Sequence, residues 1–519
     1  MNFFVTNSIG NQSSGIEHAM IKRLNLFLAH DEGAAIVSTM YYSRFHYDFN
    51  INGLEDARSF NMFDYFLGTL NAPFKTNTLE DFLKAEQLPK PKPLGEERSN
   101  KDYIVTGYLA QYPDGKQAMI RVDKETNQLD SVAYADASGK LLESDVYDYR
   151  GFKSIHFDID QNTGRMKAQT YLTPDGKKPL KFFYSYHKNQ EQMNRVALAW
   201  HDEMRIFSNN TGIEQYFFDL LNKEHGENNV FISDRYEVTP AVGAMKTKAY
   251  KYVYLHSNFT VDPDDPNDKK LNYNYAYGIR HNNLFDGLIV PTEKEKRQLD
   301  DRFHFKHPVY AVPSGYIDAD IKKVPISDRK AGQLVAVARI APEKRLDQIV
   351  RAFAIAHKAV PKATLAIVGM YADQASYNSL KQTIIDNDVA DSVYYTGYTN
   401  QMDQIYNDSV ALAWTSRGEG FGLALIEAQS HGVPVIAYDI NYGPDEIIND
   451  GESGYLVEIG NVEQLAEKMT DLLKDSFLQQ KLSNGAYEAA QKYTADNVWQ
   501  KWQVLLKDVA DKQSETKGA

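Results

Sequence analysis

The chain opens on a short apolar run, Phe3-Phe4-Val5, followed by a Gly/Ser-rich stretch over residues 9–15. Ile16, Met20, Leu24, Phe27 and Leu28 then recur at helical spacing, and residues 34–39 (AAIVST) form the next apolar run. Strand, loop, helix and strand in that order predict the start of a parallel α/β sheet. Lys90-Pro91-Lys92-Pro93 is stiff and basic, offers no helix and predicts a boundary. From about residue 103 to 207 short strand patterns are broken by Pro113-Asp114-Gly115-Lys116, Ala137-Ser138-Gly139-Lys140, Asn162-Thr163-Gly164 and Pro174-Asp175-Gly176-Lys177. Each turn carries a glycine where a tight hairpin wants positive φ, which predicts an antiparallel meander. No fixed register recurs, so this is not a solenoid.

Buried-strand patterns resume at residues 229–234, 252–256 and 287–291, and a second α/β run has strands at 334–340, 364–369, 392–397, 410–415 and 434–438. A final helix is predicted over 494–512, with Trp499, Trp502, Leu505 and Leu506 toward a core and the closing SETKGA as a disordered tail. The expected fold class is α/β: two doubly wound, Rossmann-like domains facing a cleft, with an antiparallel β-meander inserted in the N-terminal half. Residues 1–85 and 208–325 form the split first domain, 86–207 the insertion, 326–493 the second Rossmann-like domain and 494–519 the closing helix and tail. Ligands of such folds sit at the carboxyl ends of the strands.

Composition narrows the chemistry. At roughly 100–200 residues per domain, 519 residues require more than one domain. Lys and Arg number 57 against 70 Asp and Glu, a net charge of −13, which disfavours nucleic acid as a partner. The absence of cysteine excludes disulfides, thiolate metal sites, iron–sulfur clusters and cysteine nucleophiles. No apolar run approaches the ~18 residues that span a bilayer, and residues 1–9 lack the basic start and apolar core of a signal peptide. The expectation is an acidic cytoplasmic protein.

The most informative stretch is residues 410–439, VALAWTSRGEGFGLALIEAQSHGVPVIAYD, which reads strand, glycine loop, helix, strand. Gly418, Gly420 and Gly422 let backbone N–H groups approach a ligand, and the helix start that follows favours phosphate. Glu419 lies in the loop and Glu427 eight residues on; at ~3.6 residues per turn that step brings both carboxylates toward one side. Three readings compete. One is a tight turn with a surface glutamate pair. Another is a nicotinamide-type dinucleotide loop, with Asp439 about 20 residues on. Against it, Leu423 and Leu425 stand where the third glycine of G-x-G-x-x-G/A belongs, and the close helix–strand packing is lost. The third is a sugar-nucleotide site, one carboxylate on sugar hydroxyls and the other on ribose.

The segment EGFGLALIE, with Glu419 and Glu427, resembles the E-x7-E signature of retaining GT-B glycosyltransferases of the family-4 type. Arg339-Ile340-Ala341-Pro342-Glu343-Lys344 resembles that family's R-x4-K segment. Val312-Pro313-Ser314-Gly315 resembles its inter-domain P-N-G segment, and Tyr442-Gly443-Pro444-Asp445-Glu446-Ile447-Ile448 the loop after its donor helix. Residues 11–23 (NQSSGIEHAMIKR) and the β-rich insertion resemble two groups within the family. These are the bacterial wall teichoic acid α-glycosyltransferases, including poly(glycerol-phosphate) α-glucosyltransferases, and the O-GlcNAc transferases of serine-rich repeat adhesins. The Asn61-Met62-Phe63-Asp64-Tyr65-Phe66 run leans toward the first.

The resemblance implies a UDP-sugar-dependent, retaining hexosyltransferase, with glucose as the first choice of sugar and poly(glycerol/ribitol phosphate) as acceptor. Its catalytic residues would be Glu419, Lys344, Arg339 and His256; its donor contacts would be Gly15, Arg339, Lys344, Tyr398, Gly420, Phe421, Gly422, Leu423 and Glu427. A guanidinium and an ammonium on one strand-to-helix loop suit a leaving diphosphate. Their alternative is a solvated loop paired to Glu343 or Asp347. With two cations and a helix dipole, no metal and no cofactor beyond the UDP-sugar cosubstrate is required; Asp158-Ile159-Asp160 matches D-x-D but reads as a polar turn edge. Gly15 would leave room for diphosphate or sugar, or simply start a helix. Tyr398 would meet the nucleobase, or pack in its loop. His256 would touch the sugar near the reacting carbon, or be a structural histidine at a strand end. The resemblance further implies retention by front-face substitution, with no carboxylate nucleophile and with Glu419 orienting the sugar 3- and 4-hydroxyls.

A polyanionic acceptor must find local basic surface on a chain of net −13, and Lys246, Lys248, Lys251, Arg280, Lys322 and Lys323 are the candidates. Scattered surface charge is their alternative. The insertion suits acceptor binding or a homo-oligomer interface, a homotrimer among them, and peripheral association with the inner membrane face stays open. Two functional alternatives remain: a protein O-GlcNAc transferase acting on serine-rich adhesins, and a donor-inactive partner subunit. Retention of Glu419, Glu427, Arg339 and Lys344 argues against the latter.

Overall fold

Runs without polar alternation become strands covered on both faces. Phe3, Phe4 and Val5 are wholly buried in the strand Asn2–Thr6. The computed structural model describes residues 1–10, 15–54, 58–99, 103–188, 190–318 and 321–518; most of the predicted Gly/Ser loop, residues 11–14, lies outside the described residues. The chain divides into two units, Met1–Glu17 with Asp31–Lys251, and His18–His30 with Tyr252–Ala519.

In the first unit four strands run parallel in the order Val230–Ser233, Asn2–Thr6, Ala34–Ser38, Ser59–Asn61. Phe3 lies opposite Phe231 and Ala35 across the two pairings. A ten-stranded antiparallel sheet follows, each strand paired to its sequence neighbour, from Lys92–Arg98 to Glu203–Phe207. The predicted glycine turns are present: at the first, Gly115 has φ +90° and its N–H donates to the Tyr112 carbonyl at 3.0 Å. The edge strand Lys92–Arg98 is exposed along its length, and Pro93 with the irregularity at Gly95 makes it a poor template for further pairing. In the D-x-D segment Asp158 pairs with Lys181 at 2.8 Å, and Asp160 accepts the N–H groups of Asn162 and Thr163 at 2.9 Å.

The Asn61–Phe66 run is structural. Asn61 caps the helix Met62–Leu67 by accepting from the N–H groups of Phe63 and Asp64. Asp64 accepts from Arg150 at 3.1 Å and from the Thr69 hydroxyl at 2.6 Å, and its other oxygen lies 2.8 Å from His46 Nε2. Burial opposes its charge, but the His46 hydrogen bond and the Arg150 guanidinium hold its carboxyl at about 2. Arg150 also donates to Asp148 at 2.7 Å and to the Thr69 carbonyl at 2.6 Å, tying the insertion to this helix.

In the second unit the Tyr252–Tyr254 portion of a strand pairs in parallel with Gly287–Val290, and that with Val309–Ala311. A six-stranded parallel sheet follows in the order Val393–Gly397, Thr364–Val368, Gln333–Val337, Ala411–Trp414, Val435–Tyr438, Gly454–Val457. Numbered along the chain this is 3-2-1-4-5-6, the doubly wound order. Sequence patterning misses the sixth strand, which has only four residues, two of them half-buried. The predicted 334–340 strand ends at Val337, so Arg339 leaves the sheet. The final helix is Ala495–Gly518, so the closing segment predicted as a disordered tail is helical through Gly518. A Lys512–Asp508 ion pair and the Ser514 hydroxyl donating to the Ala510 carbonyl support that extension. Trp499, Trp502 and Leu505 are buried as expected, and both tryptophans stand edge-on to Phe27, with ring centroids 5.2 and 5.3 Å away. Leu506 is half-buried. Among the described residues no helix is long and apolar enough to cross a membrane.

The buried Glu214, on the helix Asn210–Glu224, yields a pH prediction. Burial pushes its carboxyl up to about 7, against a hydrogen bond with Thr39 and with help from the Glu237 charge. The folded chain therefore holds this proton more tightly than the unfolded chain. Its contribution is full below the ordinary carboxyl range and is lost as pH rises toward about 7. Glu214→Gln should raise Tm at about pH 8 more than at about pH 5 in thermal unfolding scans; an equal shift at both values would reject the assignment.

Candidate active site

The order of the six-stranded sheet reverses between Gln333–Val337 and Ala411–Trp414, and crevices of doubly wound sheets open at such reversals. The loops leaving these two strands carry the predicted site. From the first strand the chain passes Ala338 and Arg339, makes a 3-10 turn at Pro342–Lys344, and enters the helix Leu346–Ala359 through Arg345, at φ +51°. Gly369 sits against this loop: a Cβ there would lie 2.2 Å from the Ala338 carbonyl oxygen. From the second strand the chain passes buried Thr415 and Ser416, runs through the glycine loop and enters the helix Leu423–Ser430.

Among the described residues, four hydrogen bonds join the loops. The Thr415 hydroxyl donates to the carbonyls of Lys344 and Arg345 at 2.9 and 3.0 Å. The Arg417 N–H donates to the Glu343 carbonyl at 2.8 Å. Lys344 Nζ donates to Glu419 Oε1 in an ion pair whose side chains are only 19% and 21% exposed. Partial burial makes this pair stronger than an open surface pair, because less water screens it. Arg339 differs: it is well exposed and pairs with Glu343 at 2.6 Å, the alternative weighed for it from sequence.

His256 joins the same cluster through the backbone. A Cβ on Gly420 would stand 2.5 Å from the His256 carbonyl oxygen and 2.8 Å from the Ser257 nitrogen, so only glycine lets the loop approach this strand end. The His256 ring stacks on Tyr254 at 4.3 Å, and the His256 backbone N–H donates to the Tyr275 hydroxyl at 3.0 Å. Phe421 is buried edge-on to Tyr493. Gly422, at φ +100°, precedes the helix, and Leu423 begins it. A Cβ on Gly315 would meet the Leu423 side chain at 2.7 Å, which gives the Pro313-Ser314-Gly315 segment its physical role.

The helical argument for the two glutamates needs correction. Glu419 stands in the loop ahead of the helix, so an eight-residue helical step does not relate it to Glu427. The two carboxylates have different partners. Glu427 Oε1 pairs with Lys22 at 3.3 Å, and Oε2 accepts from the buried Tyr406 hydroxyl at 3.3 Å. Lys22 also donates to the Tyr316 carbonyl at 3.1 Å. Sequence reading overlooked Lys22 and Tyr406, since nothing local marks a lysine 405 residues from its partner. Tyr398 follows the edge strand Val393–Gly397, two strands from the reversal and so about 10 Å along the sheet. Partial burial raises its hydroxyl pKa. Gly15, a residue of the first unit, opens the helix Gly15–Ala29, and a Cβ there would meet nothing within 4 Å. Among the described residues no cluster of three or more His, Asp or Glu is arranged to hold a metal ion.

A doubly wound parallel sheet, a further parallel sheet and an antiparallel insertion are the parts of the GT-B fold. Residues 318–489 match the family described as Glycosyl transferases group 1, and the chain carries a domain of that family. The poly(glycerol-phosphate) alpha-glucosyltransferase of Bacillus subtilis (strain 168) is 24% identical over 98% of this chain and 75% of its own. The UDP-N-acetylglucosamine–peptide N-acetylglucosaminyltransferase GtfA subunit of Streptococcus gordonii is 28% identical over 97% of both chains. The crystal structure of the pneumococcal O-GlcNAc transferase GtfA in complex with UDP and GlcNAc covers 98% of both chains with a TM-score of 0.80 at 21% identity, a likeness of fold.

Gly420→Ala tests the backbone approach. Forcing a Cβ against the His256–Ser257 peptide should cost about 1–3 kcal/mol, read as a lower Tm. An unchanged Tm would show that the loop does not need this contact.

Proposed function

We propose that the chain transfers an α-linked hexose, glucose before other sugars, from a UDP-sugar to poly(glycerol phosphate) or poly(ribitol phosphate) wall teichoic acid, with retention of configuration. The observation that carries this reading is the Lys344–Glu419 pair at the sheet reversal. A diphosphate arriving there competes with Glu419 for the Lys344 ammonium. Lys344, with Arg339 turned from Glu343, then stabilises the negative charge that grows on the leaving phosphate. The released Glu419 carboxylate accepts hydrogen bonds from sugar hydroxyls and holds the ring for attack. Tyr398 stands about two strand spacings away, a span that suits the distance from phosphate to base.

In this mechanism the C1–phosphate bond breaks while the acceptor oxygen bonds C1 on the same face. The departing β-phosphate oxygen takes the acceptor proton, and UDP leaves. No carboxylate serves as a covalent nucleophile, unlike retaining hydrolases. His256, beside Gly420, lines the sugar end of the cluster. The two cations and the helix start supply the electrostatic stabilisation, so the reading requires no metal or other cofactor beyond the cosubstrate.

Lys344→Ala and Glu419→Gln should each lower transfer at least about 100-fold while the chain stays folded, and a chelator should leave native turnover unchanged. Rates by mass spectrometry beside circular dichroism decide this; near-native turnover in either variant would reject the assigned roles.

A second reading is a protein O-GlcNAc transferase acting on serine-rich adhesins, favoured by the 28% identity to the Streptococcus gordonii relative. A screen of UDP-glucose and UDP-GlcNAc against purified poly(glycerol phosphate) and a Ser/Thr-rich peptide separates the two. We expect glucose on the polymer; GlcNAc on the peptide alone would establish the second reading.

A further inference from the structure

We propose that a cavity in the first unit is a subsite for the phosphodiester backbone of the acceptor chain, an inference that rests on the teichoic acid reading. The cavity has a volume of about 740 Å³. It is walled by the last insertion strand, the helix Asn210–Glu224 and the segment after the helix Thr239–Gly243. Two of the lysines considered for acceptor binding from sequence, Lys246 and Lys248, line it, together with Arg205 and Lys223.

The charge balance at this wall runs against that of the whole chain. Four cations line the cavity against two carboxylates, Asp219 and Glu227, although the chain carries a net charge of −13. Asp219 is buried and already committed. It accepts the N–H groups of Lys246 and Thr247 at 2.9 Å each, the Thr247 hydroxyl at 2.7 Å, and the Gln215 amide. Its work is to fix the segment that presents the lysines. Lys223, Lys246 and Lys248 are exposed and make no ion pair among the described residues. Arg205 is shared with Glu203 and lies over the Tyr216 ring at 4.9 Å. Lys251, by contrast, donates to the Gly243 carbonyl and does not line the cavity.

Unpaired ammonium groups fit phosphodiesters better than carboxylates. A compact ammonium binds phosphate as a point charge from many directions, whereas carboxylate recognition favours the planar fork of arginine. A flexible alditol phosphate chain repeats single charges along its length and suits such a row. Phe207, whose ring lies 5.6 Å from that of Tyr216, adds an apolar surface against which alditol carbons can lie. The net effect is a local positive field that attracts a polyanion to an acidic protein.

The test is equilibrium binding of purified poly(glycerol phosphate) to the full chain, native and K246E/K248E. The control is K362E/K381E, the same charge change at exposed lysines of the second unit. The cavity variant should bind the polymer about tenfold more weakly and with a shallower salt dependence, and the control within about twofold of native. Circular dichroism confirms folding. Native-like polymer affinity in K246E/K248E, or no polymer binding by the native chain, would overturn the subsite. Polymer binding that falls as expected in a chain that glycosylates only peptide would leave the subsite standing and overturn the teichoic acid reading instead.

Discussion

One ion pair organises the second unit at the point where its sheet order reverses. Lys344 and Glu419 come from loops that leave neighbouring strands on either side of a reversal in sheet order, and each side chain is about four-fifths removed from water. Two opposite charges in such a place stabilise each other, and either one alone carries an uncompensated desolvation penalty. An anionic ligand that replaces Glu419 at Lys344 therefore changes the state of both residues at once. The Thr415 hydroxyl and the Arg417 N–H also join the loops, by donating to main-chain carbonyls.

Around this pair, close backbone approach takes the place of side-chain packing. Gly420 meets the His256 carbonyl, Gly369 the Ala338 carbonyl, and Gly443, at φ +104°, the Phe421 carbonyl at a distance no Cβ could share. Gly315 clears space for Leu423. Glu427 is held by Lys22 from the far end of the chain and by Tyr406, 21 residues away, on a helix that opens with apolar residues.

The first unit handles charge differently. Asp64, His46, Arg150 and Asp148 form a buried network that is nearly complete within itself and anchors the antiparallel insertion to the helix Met62–Leu67. Asp219 likewise uses its carboxylate to fix a loop. Both are structural uses of carboxylates. The exposed ammonium groups of Lys223, Lys246 and Lys248 beside Asp219 are the contrasting case, for no carboxylate of the described residues pairs with them.

Strong local signals were legible in the sequence. The unalternated runs of the parallel strands, the four glycine turns of the meander, the buried face of the final helix, and the glycine loop with its cation-bearing partner segment can all be read along the chain, because each depends on neighbours a few residues away. Weak local signals were not: the four-residue strand Gly454–Val457, the end of the strand at Val337, and the helical continuation to Gly518 depend on pairing, loop contacts and end stabilisation. The sequence by itself determined which residue types could meet a diphosphate sugar and in what order they occur. Only the tertiary structure decided that Lys344 faces Glu419 while Arg339 faces Glu343, that Glu427 belongs with Lys22 and Tyr406, and that Lys246 and Lys248 share a cavity with Arg205. Those partners lie up to hundreds of residues apart, and hydrophobic periodicity carries no record of which charge closes on which.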